Sequence, residues 1–288
     1  MHGQPLQQGG EEGGLDGSSS KALASAAAGA DATADTADLA VTRELTTRDK
    51  VLIELLQTER KYVADLERLL GYMTHLSNNN IVSIGVISAL FSNLKALVDF
   101  QRGFLIGLET VLRSTATGDE RVGSLFIQLE PMFSSLYCIF CANFKQASET
   151  AMDQVAQLQA ASTVMEPTHE LPSFLIKPIQ RICRYPLLLK ELVKRTPDTE
   201  FPAATVDDLV AGLESIKRAV DAVNEARRMH ENQLVKDDLA RRVQDWKGYD
   251  IQSFGMLLLH DRFMMLIQDY QRDLVIFLFE KIIVCCKE

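Results

Sequence analysis

Three polar side chains stand out against helical patterns that are otherwise regular. They are the carboxylate of Glu59, the guanidinium of Arg184 and the amide of Asn224. Groups of these types carry charge and exchange hydrogen bonds, so they are suited to holding another molecule. No recognised motif supplies a nucleophile with its base. The chemistry predicted from these residues is therefore recognition of a partner rather than covalent catalysis.

Glu59 lies near the middle of the apolar face of a predicted helix. That helix should begin near Thr46 or Thr47, and the asparagine triplet at 78–80 ends it. Its apolar face carries Leu52, Leu55, Leu56, Tyr62, Val63, Leu66 and Leu70. An unpaired carboxylate buried there would cost several kcal/mol. Glu59 therefore either pairs with a structural partner, such as an arginine of a neighbouring helix, or faces a surface where another protein binds.

Arg184 belongs to the segment Ser173–Leu192, which has an apolar face and a basic face. The apolar residues recur at helical spacing, namely Leu175, Ile179, Ile182, Pro186, Leu189 and Val193. The other face carries Lys177, Gln180, Arg181, Arg184, Glu191 and Arg195. Because Pro178 and Pro186 each remove a backbone donor, the segment is predicted to be a bent core helix. Arg184 is then either a solvated charge or a contact for a partner.

Asn224 lies where the apolar stripe of a long helix ends. Pro202 precedes this helix, and its stripe consists of Leu209, Leu213, Ile216, Val220 and Val223. The next position of the stripe is Arg227, so the buried face changes character there. Asn224 is either a polar residue on the flank of an ordinary helix or a binding residue.

Motifs for catalysis, metals and cofactors are missing from the sequence. It has no GxxxxGK[ST] loop, no GxGxxG after a strand, no HExxH and no GxSxG. Cys138 and Cys141 form one CxxC within an apolar helical run, and we expect both to be small core residues. The histidines never approach cysteine at zinc-ligand spacing. We predict no metal and no cofactor, and a reducing intracellular compartment.

The composition predicts a globular protein with an uneven charge distribution. A hydrophobic share of 47% with 24% charged residues over 288 residues allows a sizeable core. Residues 1–45 hold seven acidic and two basic residues, a net charge of −5 within a total of −9. This acidity disfavours a nucleic-acid-binding protein. No apolar stretch of about 18 residues predicts a membrane span, and no signal peptide is predicted.

The rest of the chain divides into a polar tail, further helices and strands. Residues 1–44 lack large apolar residues and are predicted to be a disordered tail or a linker. Helical regions are predicted at 81–112, with Leu90, Leu94, Leu97 and Phe104 in the core, and at 123–160, where Pro131 should break the helix. A loop is predicted at 114–121. From Trp246, FGMLLLHDRFMMLI and DLVIFLFEKIIVCCKE predict two or three strands, with breaks at HD and QDYQRD.

Several stretches resemble one known family. LIELLQTERKYVADLERLL, LEPMFSSLYCIFCANFKQASET and LIKPIQRICRYPLLLKEL resemble the three conserved regions of Dbl-homology domains, which exchange nucleotide on Rho-family small GTPases. DWKGYD, LLLHD and FLFEKIIVCCKE resemble the opening strands of a pleckstrin-homology domain. The resemblance implies a mainly α fold, an elongated multi-helix bundle at 45–235, followed at 236–288 by a linker and the first strands of an incomplete pleckstrin-homology domain.

The resemblance also implies site residues. It predicts that Glu59 contacts switch I of the GTPase, and that Arg184 and Asn224 contact switch II. We further hypothesise that Leu188, one turn beyond Arg184, packs on switch II. Lys177, Gln180 and Arg181 are assigned mainly to structural pairing inside the bundle.

The implied function is guanine-nucleotide exchange by binding the GTPase without covalent chemistry. Among family members, the sequence most resembles the fungal cell-polarity exchange factors, so we expect a cytoplasmic protein recruited to the cell cortex, with polarity scaffold proteins as further partners. Lipid binding is not carried over, because an incomplete pleckstrin-homology domain would expose a strand edge. The alternative function is a catalytically silent scaffold that binds signalling partners.

Overall fold

The structure, a computed structural model, describes residues 45–113, 121–243, 246, 248–267 and 270–287. The predicted tail at 1–44, and the predicted loop except for Arg121, lie outside these residues. The described part holds eight α-helices followed by three β-strands. The helices are α1 Thr47–Asn78, α2 Ile84–Phe91, α3 Leu94–Arg113, α4 Val122–Asp153, α5 Val155–Leu158, α6 Glu170–Leu175, α7 Lys177–Lys194 and α8 Ala203–Arg242. The strands are β1 Leu257–Ile267, β2 Tyr270–Phe279 and β3 Ile283–Cys286.

The first three helices follow the sequence pattern closely. Helix α1 begins at Thr47 and ends at Asn78, as predicted, and Asn80 then takes a positive φ of 51°. That conformation suits an asparagine just beyond a helix end. The second helical region is two helices, because Ser92 turns the chain with a φ of 47°. The predicted core residues of this region are all buried: Leu90, Leu94, Leu97 and Phe104.

Helix α4 is the central element of the helical core. The predicted break at Pro131 is wrong, since the helix runs through this residue. By length and composition α4 could cross a membrane, because an 18-residue window reaches a mean hydropathy of 1.4, and the bent pair of α2 and α3 passes the same test. In the structure, however, Phe126, Phe133 and Tyr137 are fully buried and pack as aromatic neighbours. Helix α4 therefore packs as the core helix of a bundle.

The segment predicted as one bent helix consists of two helices, α6 and α7, with Ile176 between them. Pro178 lies in the first turn of α7, where a backbone N–H would have no acceptor within the helix, so proline costs no hydrogen bond there. Pro186 lies inside α7 without ending it. The chain therefore breaks before Pro178, and the basic segment becomes a separate helix of 18 residues.

Helices α4 and α8 cross with backbone almost touching backbone. Gly123 of α4 faces Gly212 of α8, and a Cβ added at either glycine would overlap main-chain atoms of the other helix. The side-chain hydroxyl of Ser124 also donates to the carboxylate of Asp208 on α8. Because such an approach requires glycine on both sides, these two residues fix where α8 lies on the bundle.

The three strands form an antiparallel sheet in the order β1-β2-β3. The predicted break at the HD dipeptide is wrong, since His260 pairs with Phe277 and Asp261 with Ile276 inside one continuous strand. A second core joins the sheet to the last turns of α8 and consists of Leu239, Ile251, Phe254, Leu257, Phe277 and Phe279. The predicted domain boundary at 235/236 therefore falls within α8 and not in a linker.

We predict that Gly212→Ala lowers the free energy of unfolding. The added methyl forces the two helices apart, and overpacking of this kind typically costs about 1–3 kcal/mol. Urea denaturation followed by helical circular dichroism measures the change.

Gly103→Ala in α3 is the matched control, because nothing lies within 4 Å of its added Cβ. There the better helix propensity of alanine should raise stability by about 0.5–1 kcal/mol. Equal effects of the two substitutions would contradict the close approach at Gly212.

Candidate partner-binding surface

Glu59 lies at the centre of a buried polar network. Its side chain is 0% exposed. The Nε of Arg181 donates to one carboxylate oxygen at 2.9 Å, and the hydroxyl of Tyr185 donates to the same oxygen at 2.9 Å. The amide of Gln101 donates to the other oxygen at 2.7 Å. The network thus holds α1 to α3 and to α7.

The surroundings of Glu59 balance desolvation against hydrogen bonds. Burial raises the pKa of the Glu59 carboxyl above its ordinary value, and the bonds from Arg181, Tyr185 and Gln101 act in the opposite direction. Burial likewise raises the pKa of Tyr185 well above its usual range, so its hydroxyl keeps the proton that it donates. A carboxylate held by an arginine and two neutral donors is a stable arrangement only while every partner stays in place.

This burial does not fit the predicted contact between Glu59 and switch I. A partner protein could not touch a side chain with no exposed surface. The structure instead agrees with the alternative prediction, in which an arginine from a neighbouring helix pairs with Glu59. Arg181, assigned to structural pairing, is that arginine, and it is 5% exposed.

The exposed carboxylate of this region is Glu54, one turn earlier on α1. Its Oε1 accepts a bond from Nη2 of Arg184 at 2.7 Å. Both side chains are accessible, with exposed fractions of 47% for Glu54 and 52% for Arg184. Arg184 thus lies on the surface as predicted, and its neighbour there is a residue that the sequence pattern did not single out.

The buried pair holds the exposed pair in place. Nη1 of Arg181 donates to Thr58 Oγ1 at 2.8 Å, and Nη2 donates to the carbonyl of Leu55 at 3.3 Å. Thr58 in turn donates to the carbonyl of Glu54 at 2.7 Å. Arg181 therefore fixes α7 against the turn of α1 that carries Glu54.

The apolar contact predicted at Leu188 belongs to the core. Leu188 is 7% exposed and packs in the main hydrophobic cluster, whereas Leu187 is 67% exposed. The buried face of α7 is centred on Arg181, Tyr185 and Leu188, and it turns Leu187 outward. Leu187 follows Arg184 by three residues, so it lies on the same exposed face.

Asn224 is exposed on α8, directly after the buried residue Val223. Helices α7 and α8 pack against each other, as do α1 and α7. The three helices therefore present one carboxylate, one guanidinium, one leucine and one amide. These side chains can bind a protein surface through charge, hydrogen bonds and apolar contact.

The other polar residues of the basic segment have local roles. Lys177 pairs with Asp65 at 2.8 Å and lies 3.7 Å from the ring centroid of Phe174, while Gln180 is exposed. Cys141 is buried in the core and Cys138 packs against it, as predicted. Over the described residues, no three His, Cys, Asp or Glu side chains come close enough to hold a metal ion.

Sequence reasoning missed Glu54 and Leu187 for one reason. A helical pattern shows which residues share a face, but it does not show where a neighbouring helix crosses that face. In the sequence, Glu54 is recognisable only as a polar residue that faces away from the apolar stripe of α1. Its proximity to Arg184 is visible only in the structure, where α1 and α7 lie side by side.

Comparison with known proteins agrees with this architecture. The sequence profile of the RhoGEF domain matches residues 51–224, and that of a pleckstrin homology domain matches 252–288. The Rho guanine nucleotide exchange factor scd1 of Schizosaccharomyces pombe is 44% identical over 239 residues. Cell division control protein 24 of Saccharomyces cerevisiae is 35% identical over 246 residues. Each alignment covers 83% of this chain, which spans only 27% and 28% of the two relatives.

Solved structures show the same fold. The DH/PH domains of PDZ-RhoGEF in complex with activated RhoA match with a TM-score of 0.72, at 18% identity, over 89% of this chain and 78% of that one. The activated truncation of Vav1 matches with a TM-score of 0.67, at 22% identity, over 84% of this chain and 62% of that one. These matches and the RhoGEF profile confirm the resemblance drawn from the three conserved stretches. The chain therefore belongs to the RhoGEF, or Dbl-homology, domain family, and a stretch that matches a pleckstrin homology domain follows its family domain.

Proposed function

We propose that the chain promotes GDP release and GTP loading on a Rho-family small GTPase. The observation that carries this proposal is the exposed pair of Glu54 and Arg184, with Leu187 exposed on α7 and Asn224 exposed on α8. These are polar and apolar groups of the kinds that a protein surface needs for recognition. Membership of the RhoGEF family supplies the class of partner.

Exchange follows from binding alone. The factor binds a conformation of the GTPase in which the switch loops no longer support the contacts to nucleotide and Mg²⁺. Linkage then requires that factor and nucleotide weaken each other reciprocally, so rebinding of GTP releases the factor. No covalent step is needed in this mechanism.

The GTPase must displace the bond between Glu54 and Arg184. Because both side chains are about half exposed, such a pair is typically worth less than about 1 kcal/mol. Charges of the partner can therefore replace it at little cost. The free protein thus keeps two binding groups ordered without holding them strongly.

We infer that the partner is the Rho-family member that controls cell polarity, and that the protein acts in the cytoplasm and is recruited to the cortex at sites of polarised growth. The support is the identity of 44% with scd1 and of 35% with cell division control protein 24. Polarity scaffold proteins are the further partners expected on this basis.

Release of fluorescent nucleotide from a panel of Rho-family GTPases tests the function. Acceleration on at least one member supports exchange, and the member accelerated most identifies the partner. A folded chain that accelerates none would instead support the silent scaffold.

Arg184→Glu should lower the exchange rate by about thirtyfold or more, because losing one partner of a charge pair that becomes buried costs about 2–5 kcal/mol. The rate of nucleotide release at equal protein concentration measures this loss. Arg195→Glu is the matched control, since Arg195 is also exposed near the end of α7 and bonds Glu191. An equal loss with both variants would point to a general effect of charge.

Glu54→Ala should affect exchange, whereas Glu59→Gln should affect the stability of the fold. Glu54→Ala should lower exchange and leave the urea melt unchanged, because its side chain is exposed. Glu59→Gln leaves Arg181 buried without its counter-charge, and breaking a buried pair in this way costs about 3–5 kcal/mol of unfolding free energy. Paired measurements of exchange and denaturation separate the two roles. Unchanged stability of Glu59→Gln would refute the structural role of the buried pair.

A similar division is expected for the two leucines of α7. Leu188→Ala should destabilise the fold by about 2–5 kcal/mol, because it removes a buried side chain from the core. Leu187→Ala should leave the urea melt unchanged and weaken binding to the nucleotide-free GTPase. We expect the same two results for Asn224→Ala. Titration of the GTPase against each variant measures affinity. If Leu187→Ala bound normally, the leucine would not belong to the binding surface.

A further inference from the structure

The guanidinium of Arg181 bonds acceptors that all lie on a single turn of α1. Its Nε donates to the carboxylate of Glu59 at 2.9 Å, and its Nη1 donates to the hydroxyl of Thr58 at 2.8 Å. Its Nη2 donates to the carbonyl of Leu55 at 3.3 Å. A guanidinium is planar and its donors form a rigid fork, so these acceptors fix both the position and the rotation of the group. Arg181 therefore sets the register of α7 along α1.

The exposed pair of Glu54 and Arg184 depends on this register. Arg184 follows Arg181 by three residues on α7. Glu54 precedes Thr58 by four residues on α1. Residues at these spacings share one face of a helix. The bond of 2.7 Å between Glu54 and Arg184 therefore lies one helical turn from the bonds of Arg181. A shift of α7 along α1 would move one binding group of the pair relative to the other.

Thr58 connects the buried arginine to the turn that carries Glu54. Its Oγ1 accepts the bond from Arg181, and the same hydroxyl donates to the carbonyl of Glu54 at 2.7 Å. A hydroxyl has one proton and two lone pairs, so it can serve both partners at once. Threonine bonds of this kind to the preceding turn often bend a helix. The side chain of Thr58 therefore takes part both in the shape of α1 and in its contact with α7.

The bond from Arg181 distinguishes Thr58 from another threonine of the same helix. Thr74 makes the same bond to its own helix, from its hydroxyl to the carbonyl of Leu70 at 2.8 Å. Thr74 lies on an exposed part of α1, whereas Thr58 is half-buried beneath α7 and contacts a guanidinium that is 5% exposed. The bond within the helix is therefore ordinary, and the bond between the helices is particular to Thr58.

We propose that Thr58 is a positioning residue for GTPase binding, because its hydroxyl fixes the register in which α1 and α7 present Glu54 and Arg184. The proposal rests on the proposed exchange function and extends it to a half-buried residue that acts through its neighbours. Loss of the hydroxyl should weaken binding, but it removes none of the exposed groups that we assign to GTPase binding.

Thr58→Val tests the hydroxyl, because valine keeps the branched shape of threonine and removes both hydrogen bonds. With the GTPase that the unmodified chain accelerates most, the concentration of chain needed for half-maximal exchange should rise about fivefold. This factor corresponds to one hydrogen bond of ordinary net strength. The maximal rate of nucleotide release should stay unchanged. Thr58→Ser keeps a hydroxyl and should behave like the unmodified chain.

Thr74→Val is the matched control, because it removes the same bond within the helix about 24 Å further along α1. It should change neither the half-maximal concentration nor the maximal rate. Urea melts followed by circular dichroism confirm that each variant is folded under the conditions of the assay. Equal effects of Thr58→Val and Thr74→Val would overturn the positioning role. So would an equal loss of affinity in Thr58→Ser and Thr58→Val.

A double-mutant cycle tests whether Thr58 acts through the exposed pair. In a chain that already carries Glu54→Ala and Arg184→Ala, Thr58→Val should not weaken binding to the nucleotide-free GTPase any further. Titration of the GTPase against each variant measures the affinity, and a non-additive result supports the positioning role. An equal loss of affinity in both backgrounds would show that Thr58 acts independently of the pair and would overturn it.

The outcomes separate this proposal from the function on which it rests. If the unmodified chain accelerates exchange and Thr58→Val behaves like Thr74→Val, the positioning role is wrong and the exchange function stands. If the folded, unmodified chain accelerates no GTPase, the exchange function fails and the proposal fails with it.

Discussion

The buried carboxylate of Glu59 is the constraint on which the helical bundle depends. A charge with no access to water must find all its partners within the protein, and two neighbouring helices supply them, α7 through Arg181 and Tyr185 and α3 through Gln101. Apolar packing would tolerate small rotations of these helices, because dispersion contacts have no direction. Hydrogen bonds to one carboxylate do not tolerate them. The network therefore sets the rotation of α7, and with it which residues of α7 face the solvent.

Much of the fold could be predicted from the sequence, because helix and strand periods report burial directly. The start and end of α1, the core residues of α2 and α3, and the stripe of α8 all follow from that pattern. The errors arose where tertiary packing overrides a local rule. Pro131 lies in a helix whose residues before and after it are buried in the core. The HD dipeptide lies in a strand whose pairing with β2 continues through both residues.

The proposed binding surface could be predicted in part. Arg184 and Asn224 are exposed where the sequence put them, but Glu59 and Leu188 are buried, and Glu54 and Leu187 take the exposed positions beside them. In both cases the exposed residue is a near neighbour on the same helix. A helical wheel locates a face only within a range of angles, and the polar network rotates α7 so that Arg181 and Tyr185 point inward. Only the contacts between helices resolve which neighbour remains outside.

Helix α8 connects the bundle, the proposed binding surface and the sheet. Its early turns lie against α4 at the crossing of Gly123 and Gly212, Asn224 is exposed in its middle, and Lys236 and Leu239 hold the sheet near its end. Because one uninterrupted helix carries all three, the glycine crossing that positions α8 on the bundle also determines where Asn224 and the start of the sheet lie. The helical core therefore positions the sheet through α8.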